Sequence, residues 1–132
     1  MDANGQEGGA TTWTVADTKN LTIQGEKKSG TLFAKAAGRI DGSNAREFQD
    51  ALETFLEGEV TALVLDLEKL SYISSAGLRV ILLVFKKLQR SSAKFGVCSL
   101  SDSIGEVFQI SGFDKIIPTH RTQADALSAI NG

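Results

Sequence analysis

Cysteine occurs once in this chain of 132 residues, at Cys98, so no internal disulfide can form and no cysteine metal cluster is indicated. Charge of one sign is not in excess. The 14 Lys and Arg stand against 16 Asp and Glu, a net charge of -2, which leaves no electrostatic footprint for nucleic acid. Long hydrophobic runs are missing too. The longest, Val80 to Phe85, is far short of a membrane span. The first residues lack the charged-then-apolar pattern of a secretory signal, and the cytoplasm is the expected compartment. There is no Gly-x-Ser-x-Gly nucleophile elbow, no glycine-rich phosphate loop and no internal repeat. What remains is an ordinary globular composition, 42% hydrophobic and 23% charged, in a chain long enough for one domain with one core.

Residues 1–20 are rich in Gly, Ala, Thr and Asp and hold no sustained periodicity. They read as a flexible tail, with Trp13 and Val15 available to dock, ahead of a domain over residues 21–132. Leu21-Thr22-Ile23-Gln24-Gly25 alternates apolar and polar, as a half-buried strand does. Lys27-Lys28-Ser29-Gly30 predicts a hairpin turn, and Thr31 to Gly38 the returning strand. Ser43 or Asn44 then caps a helix, and Asn44 with Glu47 resembles a capping box. Phe48, Ala51, Leu52, Phe55 and Leu56 share one face of that helix, and Gly58 ends it. Val60 to Leu67 reads as a buried strand.

The chain is organised around the next stretch, Lys69 to Arg79. It joins the apolar run Ala62-Leu63-Val64-Leu65-Asp66-Leu67 to an apolar-rich helix from Ala76 to about Arg90. It therefore predicts a strand-to-helix turn holding Ser74 and Ser75. A helix N-terminus has unpaired N–H groups and favours negative charge, so a phosphoryl group on Ser75 would be well placed. The same spacing fits a simple N-cap by Ser74 or Ser75, and caps are common. Both readings stand on the residues alone. In the helix, Leu78, Ile81, Leu82, Phe85 and Leu88 form a core-facing side, and Leu83 and Val84 widen the apolar arc. That width fits either an exposed docking surface or a helix buried on both flanks.

Lys94 to Leu100 reads as another strand. Ser103 with Glu106 suggests a capped helix bearing Ile104, Val107, Phe108 and Ile110, stopped by Gly112. Phe113 to Ile117 is expected to carry a last short strand before Pro118. Thr122 with Asp125 caps a final helix carrying Ala126, Leu127 and Ile130. The order is β-β-α-β-α-β-α-β-α. It predicts an α/β fold with a mixed, mostly parallel sheet, about four helices and right-handed crossovers. The loop Arg39-Ile40-Asp41-Gly42 and the turn Ser74-Ser75 both follow strand carboxyl ends and should meet at one end of the fold.

This order resembles the STAS domain. It does so together with Leu63 to Leu67, with Tyr72-Ile73-Ser74-Ser75-Ala76-Gly77-Leu78, and with Ile110-Ser111-Gly112-Phe113-Asp114-Lys115-Ile116-Ile117. More narrowly it resembles the free-standing bacterial anti-sigma factor antagonists, over roughly Leu21 to Ile130. Gly38-Arg39-Ile40-Asp41 is similar to the family's loop before the first helix. The resemblance implies a partner switch. An unphosphorylated antagonist binds a serine kinase that is also an anti-sigma factor, of the histidine-kinase-like ATPase type. The kinase phosphorylates a serine two residues before the motif glycine, the antagonist lets go, and a serine phosphatase resets it. Here that serine is Ser75, with Ser74 as the competing hydroxyl, and the implied partner surface is Asp41, Ser74, Ser75, Ala76, Gly77, Leu78 and Arg79. Two positions depart from the family's best-known form: Ser74 stands where Asp is found, and Ala76 where Ser or Thr is frequent.

No active site, cofactor or metal is implied. His120 could serve a hydrolase as base, but it follows Pro118 on a different connection. Cys98 reads as core, and Asp66 lacks the acidic cluster of a metal site. Lys86-Lys87 with Arg90 reads as a solvated helix face. The second functional reading is a STAS ligand-binding or scaffold module, for a lipid, a nucleotide or a transporter-associated complex, not controlled by phosphorylation. A small molecule surviving purification would favour it; a neighbouring ATPase or phosphatase gene would favour the switch. Monomer and weak dimer are both compatible with the sequence.

Overall fold

The computed structural model describes residues 11–131. They form a six-stranded sheet in the order β1-β2-β3-β4-β5-β6, with four α-helices. The strands are β1 (Thr11–Thr18), β2 (Leu21–Lys28), β3 (Thr31–Ile40), β4 (Ala62–Ile73), β5 (Lys94–Cys98) and β6 (Thr119–His120). The helices are α1 (Ala45–Phe55), α2 (Ser75–Arg90), α3 (Asp102–Ser111) and α4 (Gln123–Asn131). Strands β1 to β3 pair antiparallel, and β3 to β6 pair parallel. The α/β architecture and mixed sheet match the sequence expectation.

The β2–β3 hairpin closes at Ser29 (φ 50) and Gly30 (φ 80), the two positive φ values of a tight turn that matches strand twist. After β3 the strands follow one another across the sheet. Right-handed crossovers in one direction put α1, α2 and α3 on one face. There Ile23, Leu63, Leu65 and Leu67 meet Phe48, Leu52, Ile81, Val84 and Phe108 in the main core. Phe33, Val64 and Cys98 point the other way and pack under Ala126, Leu127 and Ile130 of α4. Strand β4 is thus covered on both faces over Ala62–Leu67, which explains its unbroken apolar run.

Beyond Leu67 the strand continues where a turn was expected. Its pairing with β3 slips twice: Lys35 faces Asp66 but Ala37 faces Lys69, and Gly38 faces Leu70 but Arg39 faces Tyr72. Each slip adds one residue to β4 as a bulge. The buried residues Leu67, Leu70 and Ile73 therefore recur every third position, and the period-two signature of a strand is lost.

Three further local expectations differ. Within the tail expected over residues 1–20, Thr11–Thr18 is strand β1, paired with β2; residues 1–10 lie outside the described residues. A bulge between Thr14 and Ala16 breaks its alternation, and most of its side chains are exposed, which left little pattern to read. Trp13 anchors it. The indole lies over Gly25, where a Cβ would come within 2.4 Å of Trp13 Cε2, and its ring is 6.2 Å from Phe55. The last strand lies after Pro118, not before it: Phe113–Lys115 is a 3-10 turn. Finally, Ser101, not Ser103, caps α3, its hydroxyl accepting from Ile104 N at 3.3 Å.

Candidate functional site

Strands β3 and β4 run parallel and end side by side. Ser74 N donates to Ile40 O at 2.9 Å, and from that point the two chains diverge into α1 and α2. The Asp41 loop and the Ser74–Ser75 corner therefore do meet, as expected. The two serines have different tasks. Ser74 is the N-cap, in extended conformation (φ -92, ψ 174), and its Oγ accepts from Gly77 N at 3.4 Å. Ser75 is the first helical residue. It is exposed, and among the described residues its hydroxyl makes no hydrogen bond.

Gly77 seats the helix. A Cβ there would come within 2.7 Å of Ile40 Cγ2 and 2.8 Å of Ile73 Cγ1, the last residues of the two strands. Any side chain would push the start of α2 away from the sheet. Leu78 is also packed inward, at 7% exposure. Of the residues implied as a partner surface, Gly77 and Leu78 thus support it from beneath. Ser75 and Arg79 are exposed; Asp41, Ser74 and Ala76 are half-buried.

The Asp41 loop is held by its own polar groups. Asp41 Oδ1 accepts from Ser43 N at 2.9 Å and from Ser43 Oγ at 2.6 Å. These bonds, with Arg39 Nη2 3.9 Å from Oδ2, hold the carboxyl below its usual range. Asn44 does not form the expected capping box. Its side chain accepts from Asp41 N and donates to Arg39 O, each at 2.9 Å, and so clamps the loop. Sequence reasoning missed Tyr72. It is 42% exposed, and the Arg39 guanidinium lies over its ring at 4.4 Å. The signal was present as a large aromatic between the buried Leu70 and Ile73, but the slipped register hid it.

The remaining candidates lie elsewhere. His120 is on β6, two strands from β4, and Gly96 leaves room for its ring. Cys98 is buried, and burial pushes its thiol up to about 11. Asp66, 3% exposed, accepts from Glu68 N at 3.0 Å and from Gln123 Nε2 at 2.6 Å, which ties β4 to α4. Among the described residues no group of three or more His, Cys, Asp or Glu is placed to hold a metal. No helix among them is long and apolar enough to cross a membrane. On α2, Val84 belongs to the core, whereas Leu83 is 41% exposed beside Lys86 and Lys87. Lys87 is engaged, donating to Glu53 of α1.

A parallel-ended sheet with a capped serine corner at the start of its second helix defines a STAS-type module. The chain belongs to the STAS domain family, whose model matches residues 22–126. Its relatives include BtrV of Bordetella bronchiseptica, 38% identical over 104 residues, covering 79% of this chain and 90% of BtrV. The anti-sigma-B factor antagonist of Listeria monocytogenes is 33% identical over 107 residues, 80% of this chain and 94% of that protein. An anti-sigma factor antagonist from Mycobacterium paratuberculosis has the same fold, with a TM-score of 0.79 at 27% identity over 85% of this chain and 95% of that one. So does SpoIIAA in its unphosphorylated form, with a TM-score of 0.70 at 21% identity over 83% of this chain and 96% of that one.

Proposed function

We propose that this protein is an anti-sigma factor antagonist that works by partner switching, with Ser75 as its phosphorylation site. Unphosphorylated, it binds a serine kinase that doubles as the anti-sigma factor. Phosphorylated, it releases that kinase, and a serine phosphatase resets it. The protein holds no active site or cofactor of its own; the partner brings the ATP, in the cytoplasm. The observation that carries this reading is the division of labour at the corner. Ser74 Oγ takes the capping bond from Gly77 N, so the cap does not use the Ser75 hydroxyl, which among the described residues makes no hydrogen bond at its exposed position two residues before Gly77. The substitution of Ser74 for the family's Asp fits the same logic, because Asp and Ser are both preferred N-caps.

A phosphoryl group adds about −1.5 to −2 charge at neutral pH. The free protein carries it at an exposed helix N-terminus without refolding. At a packed interface the same charge would be desolvated and unpaired, at a cost of several kcal/mol. A coupling of about 3 kcal/mol changes affinity roughly a hundredfold, enough for a switch. The contact surface we assign is Asp41, Ser74, Ser75, Ala76 and Arg79, supported from below by Gly77 and Leu78 and extended by Arg39 and Tyr72.

The test is affinity capture from host lysate with Ser75→Ala and Ser75→Glu as paired baits. A histidine-kinase-like ATPase retained by Ser75→Ala and lost from Ser75→Glu is the expected result. Equal retention by both baits would overturn the switch. A small molecule co-purifying with both, and no ATPase on either, would favour the ligand-binding reading.

A further inference from the structure

We propose that Arg79 is the built-in counter-charge for a phosphoryl group on Ser75. Phosphorylation then closes an ion pair along α2 and withdraws Arg79 from the surface that a partner meets. The proposal rests on Ser75 being the acceptor and adds a second half to the switch.

Ser75 is the first residue of α2 and Arg79 the fifth. Side chains four apart on a helix are neighbours, with Cβ atoms about 5–6 Å from each other. Both residues are exposed, so neither side chain is pinned by packing. An acidic group N-terminal to a basic one at this spacing is the favourable order, because it also follows the helix dipole. A guanidinium can take two phosphate oxygens at once.

The neighbouring charges single out Arg79. Arg39 is committed, over the Tyr72 ring and beside Asp41. On α1, Arg46 pairs with Asp50, and Glu53 holds Lys87. Asp41 and Glu47 are acidic and oppose a phosphate. Glu68 and Lys69 on β4 belong to its opposite flank, where they line a cleft with Gln24 and Lys35. Lys94 starts β5 and donates to Ile130 O. Arg79 makes no ion pair among the described residues. Among the described residues it is the cation without an ion pair within about one helical turn of the Ser75 hydroxyl, and no acidic residue lies anywhere on α2.

Before phosphorylation the start of α2 presents a hydroxyl and an exposed positive charge. Afterwards it presents a phosphate bound to that cation. An acidic group on the partner that engages Arg79 would lose its contact at the same moment that it meets the new anion.

The experiment places phosphoserine at position 75 during translation, so that no kinase is needed. Phosphorus NMR then follows the second phosphate ionisation in the phosphorylated parent, in Arg79→Gln and in Arg79→Lys. Nitrogen-edited spectra follow the Arg79 Nε–H. The expected result is an ionisation about 0.4 of a pH unit higher in Arg79→Gln. Arg79→Lys should fall between the two, and 1 M salt should erase the difference. The Arg79 Nε–H should shift in the phosphorylated parent only. Identical titrations with an unmoved Nε–H would overturn the proposal. So would a shift as large in Arg39→Gln as in Arg79→Gln. These outcomes are separate from the acceptor question. A kinase that ignores Ser75 would remove the assigned function and leave the titration as measured, whereas a missing pair would leave Ser75 as acceptor.

Discussion

Ser74 and Asp41 carry the polar work of the corner, and each predicts a measurable effect. Ser74 Oγ satisfies Gly77 N, so Ser74→Ala should cost about 1 kcal/mol in denaturant unfolding, and Ser74→Asp should cost little because a carboxylate caps as well. An equal loss in both variants would refute the cap. Asp41 is a question of pH. Its bonds from Ser43 lower the folded carboxyl below the ordinary 3.8, so its contribution is present above that value and disappears as pH falls through the folded one. The stability advantage of the parent over Asp41→Ala should hold near neutrality and shrink from about pH 4 downward. A difference that persists unchanged to about pH 2 would mean that the carboxylate charge is not involved. As N-caps, Ser74 and Ser75 are equivalent in the sequence. The cap was legible as a requirement of the helix, but which serine meets it depends on where β4 ends.

At the scale of elements, the strongly periodic pieces were readable and the irregular ones were not. Helix α1 buries Phe48, Ala51, Leu52 and Phe55 as its spacing demanded, and the β2–β3 hairpin turns where Ser29-Gly30 allows. Strand β4 outran its expected end because two bulges convert its buried spacing from two to three, which reads as neither strand nor helix. Strand β1 escaped because it lies at the sheet edge, bulged and largely exposed. Val15 and Ala16 pack it against the core, and the Trp13 indole lies on Gly25, a contact that can be tested. Gly25→Ala places a Cβ 2.4 Å from the indole, so Trp13 must move. We expect a red-shifted Trp13 emission and a loss of about 1–3 kcal/mol, as for other overpacked sites. Unchanged emission would show that the indole does not lie on Gly25. Trp13 is the only tryptophan in the chain, so the signal is unambiguous.

For the whole molecule, parallel strands β3 to β6 leave their carboxyl ends, and the starts of all four helices, on one side. The connections after β3, β4 and β5 lead to one face and the one after β6 to the other, so a cleft lined by Ser99, Ser101, Arg121 and Gln123 opens between the ends of β5 and β6, while the ends of β3 and β4 form the serine corner. The family resemblance was legible because the residues that build the corner are the packing-critical ones. Ile40, Ile73 and Gly77 interlock, so few sequences satisfy them. What the sequence left open was the approach surface, because Arg39 over Tyr72 and the Asn44 clamp are tertiary contacts. On the proposed function, this corner is covalently switched at Ser75. Its most direct test is intact mass, with peptide mapping, after incubation with ATP and kinase-competent host lysate, with Ser75→Ala and Ser74→Ala beside the parent. The expected result is one phosphoryl mass gain on the parent and on Ser74→Ala, mapped to Ser75, and none on Ser75→Ala. A gain on Ser75→Ala that vanishes in Ser74→Ala, or no gain on any of the three, would contradict it.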